Sequence, residues 1–324
     1  MRAVVPVSGQ LIWQEVPDVC AESGEVVIKV RAAGVNRADL LQTAGNYPPP
    51  PGASQILGLE VSGTIAAVGD EVADLAVGQE VCALLSGGGY AEYVAVPAAQ
   101  VMPIPAGVTV EDAAGLPEAA CTVWSNLVMT ARLQGGEFIL IHGGASGIGS
   151  HAIQVARVLG ARVAVTAGAP AKLELCAGLG AEVLIDYRAD DFVERVHRAT
   201  DGRGADLILD VMGASYLERN LASLALDGRL AIIGLQGGLK AQVNIGTLIG
   251  KRLTVLGTAL RSRPVDGPQG KAAIVDAVVQ SVWPMVASAR VRPVIGARYP
   301  IDQAAEAHRA LAAGETYGKV LLVM

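Results

Sequence analysis

Six short apolar runs alternate with helical patterns through the middle of this 324-residue chain. The runs are FILIH (138–142), RVAVTA (162–167), EVLID (182–186), ADLILD (205–210), RLAIIG (229–234) and LTVLG (253–257). Helical spacing follows the first four runs, over 148–160, around 170–178, over 190–199 and over 214–224. Apolar strands joined by helical crossovers predict a parallel, doubly wound sheet, so the fold class is α/β.

A glycine cluster follows the first of these strands, in EFILIHGGASGIGSH (137–151). Glycines let the backbone turn tightly and approach a pyrophosphate, and the next helix offers unpaired N–H groups and the positive end of its dipole. The spacing is G-x-x-x-G-x-G rather than G-x-G-x-x-G, and a glycine-rich turn without a ligand is the alternative. Because a strand precedes the cluster and a helix follows it, we predict a dinucleotide site. Its residues are Gly143, Gly144, Ala145, Ser146, Gly147, Ile148 and Gly149.

The ends of the second and third strands bear on which nicotinamide cofactor binds. NAD sites place an acid about 20 residues beyond the glycine loop, where it bonds the ribose 2′-hydroxyl. Here the second strand ends in VTAGAPAK (165–172), without a carboxylate, and Lys172 with Tyr187 would satisfy a 2′-phosphate. Asp186 is the one nearby acid, and Lys172 as an ordinary solvated lysine is the alternative. We therefore predict NADPH, with Thr166, Gly168, Lys172 and Tyr187 at its site.

Charge and cysteine usage exclude several classes of protein. Lys plus Arg number 25 and Asp plus Glu 31, and this net charge of −6 argues against nucleic acid as the main partner. The four cysteines are far apart, which argues against a disulfide framework or a zinc knuckle. No signal-like segment opens the sequence and no apolar run reaches about 18 residues, so we expect a cytoplasmic protein without a membrane span.

The flanking segments have a different character. Short runs broken by Gly, Pro and Asp, such as EVVIKVRAAG (25–34) and GTIAAVG (63–69), indicate β-strands in the first third. YPPPPG (47–52) must be a stiff loop, because consecutive prolines fix φ and remove donors. The pattern becomes helical over 110–133, and the tail has a helix in 267–289 and a last strand at 318–324.

Several motifs together resemble one family, the zinc-independent quinone oxidoreductases of the zeta-crystallin type in the medium-chain dehydrogenase/reductase superfamily. They are AAGVNRADLLQTAGNYPPPPG (32–52), LGLEVSGTIAAVG (57–69), GGGYAEYVAVP (87–97), LPEAACTVWSNL (116–127), LIHGGASGIG (140–149) and LRSRP (260–264). The resemblance implies a Rossmann domain, 118–258, inserted in a GroES-like β-rich catalytic domain formed by 1–117 and 259–324. It also explains why the glycine loop lies in mid-chain.

The same comparison of motifs predicts that no metal is bound. Alcohol dehydrogenase relatives carry G-H-E where this chain has Gly58-Leu59-Glu60, and a ligand cysteine where it has Asn36-Arg37-Ala38-Asp39. Zinc needs three or four converging ligands, and Leu59 supplies none. We interpret His142 as a strand-end residue and His151, His197 and His308 as helix-surface residues.

The resemblance also implies the roles of individual side chains. Tyr47 would face the acceptor, or it only packs within its loop. Asn36 would lie near the nicotinamide or the acceptor oxygen, or it only forms a turn. Thr122 would contact the nicotinamide, or it only packs within its helix. Ser146 would bond a phosphate. The nicotinamide pocket would be lined at strand ends by Gly234, Leu235, Thr258 and Leu260. Lys319 would approach the cofactor from the tail, while Arg261 and Arg263 would close the cleft or meet phosphate.

The predicted function is NADPH-dependent reduction of quinones by direct hydride transfer, because an acceptor that already attracts electrons tolerates the lack of a Lewis acid. Reduction of activated C=C bonds in enals or enoyl thioesters is the alternative. A short-chain dehydrogenase is disfavoured, since no Tyr-x-x-x-Lys pair is present. An RNA-binding or structural role is disfavoured by the acidic balance. The apolar strand LTVLG (253–257) at a sheet edge predicts a homodimer.

Overall fold

The computed structural model describes residues 1–7 and 9–324. The chain divides into two compact units, the first formed by Met1–Cys121 with Leu260–Met324 and the second by Thr122–Ala259. No helix among the described residues is both long and apolar enough to cross a bilayer.

The first unit begins with a β-rich segment. In chain order its elements are β1 (Arg2–Val7), β2 (Gln10–Glu15), β3 (Glu25–Val35), α1 (Arg37–Thr43), β4 (Glu60–Val68), β5 (Glu80–Leu84), β6 (Tyr93–Pro97), β7 (Val101–Pro103), α2 (Val110–Ala113) and α3 (Pro117–Val123). The predicted helical segment 110–133 is thus interrupted, and Pro117 opens a new helix where its missing N–H costs nothing.

The second unit contains the predicted parallel sheet. Its elements are a π-helix (Trp124–Thr130), β8 (Phe138–His142), α4 (Gly147–Val158), β9 (Arg162–Ala167), α5 (Pro170–Leu179), β10 (Val183–Asp186), α6 (Phe192–Ala199), β11 (Ala205–Asp210), α7 (Leu217–Ser223), β12 (Leu224–Ile232), α8 (Ile245–Lys251) and β13 (Thr254–Gly257). The strands are all parallel, in the order β10-β9-β8-β11-β12-β13. This is the doubly wound arrangement, so the predicted fold class is confirmed.

One strand of this sheet begins earlier than its sequence pattern predicts. β12 starts at Leu224 rather than at Arg229, because Leu224 and Ala225 are buried and Leu224 pairs with Ala205. The pairing register shifts before Arg229, which lies opposite Leu207. Asp227 and Gly228, two residue types that are uncommon in strands, lie inside β12.

The tail returns to the first unit as α9 (Lys271–Ser281), α10 (Trp283–Ala287), β14 (Ile295–Pro300), α11 (Ala304–Ala313) and β15 (Lys319–Val323). β15 pairs with β3, and the sheet order is β14-β15-β3-β4-β5-β7, with β6 also paired to β3. The first and last parts of the sequence therefore form one sheet around a shared core.

Two of the histidine interpretations are wrong. His151 and His308 are 4% and 8% exposed, rather than lying on helix surfaces. Residues 149–156 of α4 are all buried, and in α11 His308 lies on a buried face with Ala304 and Ala307 and contacts Tyr90. His142 lies at the end of β8, as expected.

Candidate cofactor and acceptor sites

The loop after β8 requires glycine at three positions for three reasons. Gly143 has a φ of +69°, a left-handed conformation that favours glycine. A Cβ on Gly144 would lie 2.7 Å from that of Val165 on β9, and a Cβ on Gly149 would overlap the carbonyl oxygen of Gly143. The glycines therefore allow α4 to begin directly against the end of the strand.

The N-terminus of α4 is capped by a predicted site residue. Ser146 Oγ accepts a hydrogen bond from Gly149 N at 3.0 Å, and the Ser146 side chain is exposed. The helix that follows, Gly147–Val158, directs its unpaired N–H groups and dipole toward this loop. The structure thus shows turn chemistry at Ser146, which is compatible with a phosphate contact, and that contact stays a prediction.

Thr166 ties the glycine loop to the neighbouring strand β9. Its backbone oxygen accepts from Gly144 N at 3.0 Å, and its hydroxyl contacts Gly143 N at 3.3 Å and His142 Nδ1 at 3.0 Å. Burial lowers the pKa of His142 to about 4, so the ring is neutral and its Nε2–H donates to Asn220 Oδ1 at 2.8 Å. This buried pair shapes the loop, and Asn220 was not anticipated from sequence.

Two of the predicted 2′-phosphate residues, Gly168 and Tyr187, lie together beyond β9. A Cβ on Gly168 would overlap the phenol of Tyr187, which is 45% exposed. Lys172 occupies the first turn of α5, whose N-cap, Ala169, offers no side-chain hydrogen bond. A cation in a helix's first turn opposes the helix dipole, so helix stability alone does not explain the lysine. Asp186 accepts from Arg188 N at 3.0 Å and so closes its own turn.

Thr122 and Thr258 are linked through a residue that sequence analysis did not single out. Thr258 Oγ1 donates to Asn126 Oδ1 at 2.6 Å, and Asn126 Nδ2 donates to the Thr122 carbonyl at 2.8 Å. Gly234 and Leu235 follow β12, where Leu235 is 53% exposed, while Leu260 is buried in the first unit. Their roles at a nicotinamide stay predictions.

In the first unit, Asn36 belongs to a buried ionic cluster. Lys319 Nζ lies 2.5 Å from Glu60 Oε1 and donates to Asn36 Oδ1 at 2.7 Å and to the Val35 carbonyl at 3.2 Å. Asn36 Nδ2 donates to Glu60 Oε1 at 2.9 Å, and Glu118 N donates to Glu60 Oε2 at 2.9 Å. The Asn36 amide is therefore fixed in one orientation. The three protons of Lys319 all have acceptors here, so its approach to the cofactor stays a prediction.

A second buried chain of hydrogen bonds supports the helix that begins after Asn36. Asp39 is 1% exposed and accepts from Asn36 N at 2.7 Å, Gly58 N at 3.1 Å and Tyr90 Oη at 3.0 Å. Tyr90 Oη lies 3.2 Å from His308 Nε2. Burial raises the pKa of Asp39 to about 6 and lowers that of His308 to about 4. This chain joins α1 to α11.

Tyr47 lies on the proline-stiffened loop and is held by Arg261. The guanidinium stacks 5.3 Å from the centre of the Tyr47 ring and its Nη1 donates to the Tyr47 carbonyl at 3.3 Å. Its Nη2 donates to Gln42 Oε1 at 2.7 Å and its Nε to the Ser86 carbonyl at 2.9 Å. Burial raises the pKa of Tyr47, with Glu118 adding to the effect, so the phenol stays protonated near neutral pH.

Comparison with family models covers both units. Residues 147–275 match the model described as "Zinc-binding dehydrogenase", and residues 22–106 match "Alcohol dehydrogenase GroES-like domain". Rat quinone oxidoreductase is 29% identical over 94% of this chain and 90% of its own length. A mycocerosic acid synthase-like polyketide synthase of Mycobacterium tuberculosis is 33% identical over 92% of this chain. The chain spans only 14% of that relative's length.

Solved structures extend the likeness over the whole chain. A Pseudomonas syringae quinone oxidoreductase is 30% identical with a TM-score of 0.88, covering 100% of this chain and 99% of its own. The chain belongs to the zeta-crystallin-type quinone oxidoreductases of the medium-chain dehydrogenase/reductase superfamily. Mycobacterial Rv1454c, solved with NADPH, is 30% identical with a TM-score of 0.90 over the full length of both chains. The enoyl reductase of CurK is 26% identical with a TM-score of 0.85, covering 100% of this chain and 99% of its own.

This assignment confirms the family predicted from the motifs. The side chain of Leu59 is buried at 2% exposure and offers no ligand atom. Across residues 1–7 and 9–324, no group of three His, Cys, Asp or Glu side chains is placed to hold a metal ion. Glu60, beside Leu59, is instead paired with the ammonium of Lys319.

Proposed function

We propose that this protein reduces quinones with NADPH by direct hydride transfer that needs no metal. The observation that carries the proposal is Tyr47, an aromatic ring with a protonated hydroxyl, held rigidly by Arg261 on a stiff loop. A planar acceptor can stack on such a ring and accept a hydrogen bond at its carbonyl. Kinship with quinone oxidoreductases supports the same substrate class.

The residues of the second unit fit NADPH. The glycine loop and the start of α4 suit a pyrophosphate, and the uncapped N-terminus of α5 with Lys172 and Tyr187 suits a 2′-phosphate. The structure of Rv1454c with NADPH supports this choice. When bound, NADPH supplies the hydride. We propose that the first unit is the catalytic domain and the second the cofactor domain.

The chain's own residues orient the acceptor and handle its charge. Reduction of a quinone by a hydride adds two electrons and one proton, so the product oxygen needs one further proton. The Tyr47 hydroxyl, or a water that it orients, donates that proton. The fixed amide of Asn36 orients the acceptor, and the buried Glu60–Lys319 pair holds that amide.

A purified-enzyme assay tests this function. We expect NADPH oxidation with ortho-quinones and naphthoquinones, without added metal and in the presence of a chelator. If none of these quinones is reduced and an enoyl thioester is, the substrate class would be activated C=C bonds instead of quinones. The CurK enoyl reductase is the observation that favours that second candidate.

We also propose a cytoplasmic homodimer. All four cysteines are free, which suits a reducing compartment. At the β13 edge of the second unit's sheet, apolar side chains are exposed: Val255 at 43%, Ile245 at 59% and Ile249 at 73%. An exposed apolar strand edge is normally covered by a partner.

A further inference from the structure

Two buried cations converge on one residue of the first unit. Arg261 is 3% exposed and Lys271, the first residue of α9, is 4% exposed. Arg261 Nε donates to the Ser86 carbonyl at 2.9 Å, and Lys271 Nζ donates to Ser86 Oγ at 2.7 Å. Both positive charges therefore lie within one hydrogen bond of Ser86.

The acceptors of these two cations are neutral. Arg261 donates to two carbonyls and to the Gln42 amide oxygen, and Lys271 donates to a hydroxyl. In the part of the chain that the structure describes, no carboxylate lies within 4 Å of either cation, although Glu118 attracts both through space and Asp39 also attracts Arg261. Burial and the nearby Arg261 lower the pKa of Lys271 more than Glu118 raises it. Buried cations are normally in direct contact with an anion, and these two contact only neutral acceptors.

The cations adjoin the ring that we assign to the acceptor. Arg261 stacks on Tyr47, and the Tyr47 ring is half-buried, so the two cations adjoin a partly exposed ring although they are themselves 3% and 4% exposed. A guanidinium fork and an ammonium together match the oxygens of a carboxylate or sulfonate.

We propose that Arg261 and Lys271 form an anion-binding subsite beside Tyr47, which selects quinones that carry one carboxylate or sulfonate group. The subsite rests on the proposed quinone reduction and adds a preference within it. An acceptor of this kind supplies an anionic group in direct contact with the two cations, in place of their neutral acceptors.

The test compares a matched pair of acceptors, 1,4-naphthoquinone and 1,4-naphthoquinone-2-sulfonate, with the full chain and NADPH. We expect Lys271→Met to lower kcat/KM for the sulfonate about tenfold and to change kcat/KM for the neutral quinone less than twofold. Lys271→Arg keeps the charge and should retain the preference. Lys29→Met, at an exposed lysine of β3, removes the same charge from the same unit and should not alter the preference.

A binding measurement separates this proposal from the proposed function. Naphthalene-2-sulfonate cannot accept a hydride, and calorimetry on the NADPH complex gives its affinity whether or not any quinone is reduced. Wild-type protein should bind naphthalene-2-sulfonate more tightly than naphthalene-2-methanol, and this comparison does not depend on the folding of any variant. Lys271→Met should remove the difference in affinity. Equal affinity for the two ligands, or equal losses for both quinones in Lys271→Met, would overturn the subsite.

Discussion

Replacing Tyr47 with phenylalanine removes one hydroxyl and keeps the ring that Arg261 stacks on. We expect kcat/KM for quinones to fall about tenfold, the value of one hydrogen bond to a developing charge. The affinity for NADPH should not change. Tyr317→Phe, at an exposed tyrosine of the same unit, is the control. If turnover in Tyr47→Phe is unchanged, the Tyr47 hydroxyl has no role in quinone reduction, although the ring can still have one.

We propose that the charge of a single residue, Lys172, decides the choice of cofactor. We expect Lys172→Met to raise the KM for NADPH about tenfold while the KM for NADH stays within twofold, because only NADPH carries the 2′-phosphate. Steady-state assays with both cofactors measure the change. Lys240→Met, at an exposed lysine of the same unit, removes an equal charge and should show no selectivity change. Equal effects of Lys172→Met on both cofactors would reject the 2′-phosphate contact.

At the scale of elements, the junction of β8 with α4 depends on the lack of a side chain at Gly149. A Cβ there would overlap the Gly143 carbonyl, so Gly149→Ala must move the helix away from the strand. We expect a loss of about 1–3 kcal/mol of unfolding free energy and weaker NADPH binding.

Gly178 in α5 is the matched control for this prediction, because a Cβ there meets nothing within 4 Å. Gly178→Ala should stabilise the protein by about 0.5–1 kcal/mol, since alanine is the better helix former. Denaturant titration measures both variants. An equal response at the two positions would show that close packing at Gly149 is unimportant.

For the whole molecule, buried histidines should make the free energy of unfolding depend on pH. Burial lowers the pKa values of His142, His151 and His308 to about 4, whereas the unfolded chain takes up protons near 6.5. The stability that these three histidines contribute is therefore fully present above pH 6.5 and is lost as the pH falls through 4. Asp39, with a pKa raised to about 6, acts in the opposite direction, and its contribution is lost as the pH rises through 6.

Burial also raises the pKa of Asp210. The three histidines outweigh these two acids, so we expect the free energy of unfolding to fall by several kcal/mol between pH 7 and pH 4.5, at about 1.4 kcal/mol for each unit of pKa shift. Urea midpoints across this range measure the change. A midpoint that stays constant, or rises, as the pH falls would contradict the burial of these rings.

Assembly is the other property of the whole molecule that the structure makes testable. Ile249→Asp places a charge on the exposed apolar surface beside β13 and should convert a dimer to a monomer. Val77→Asp, at a residue 65% exposed in the other unit, should leave the mass unchanged. Light scattering after size exclusion reports both, and a monomeric wild-type protein would refute the dimer.

Much of the second unit could be predicted from local patterns. The alternation of apolar runs with helical spacing specified the parallel sheet, and the glycines at the end of β8 specified a tight turn into α4. These features are local, because strand and helix periods and the need for a missing side chain act over a few neighbouring residues. The family motifs likewise indicated the β-rich character of the first unit.

The sequence by itself therefore determined the doubly wound sheet, the glycine loop and the stiff loop that carries Tyr47. Only the tertiary structure decided that Arg261 stacks on Tyr47, that Lys271 reaches Ser86, and that Lys319 meets Glu60. It also decided that His151 and His308 are buried. The physical reason is distance along the chain: these partners are separated by more than 180 residues, and the folding of the tail onto the first strands brings them together.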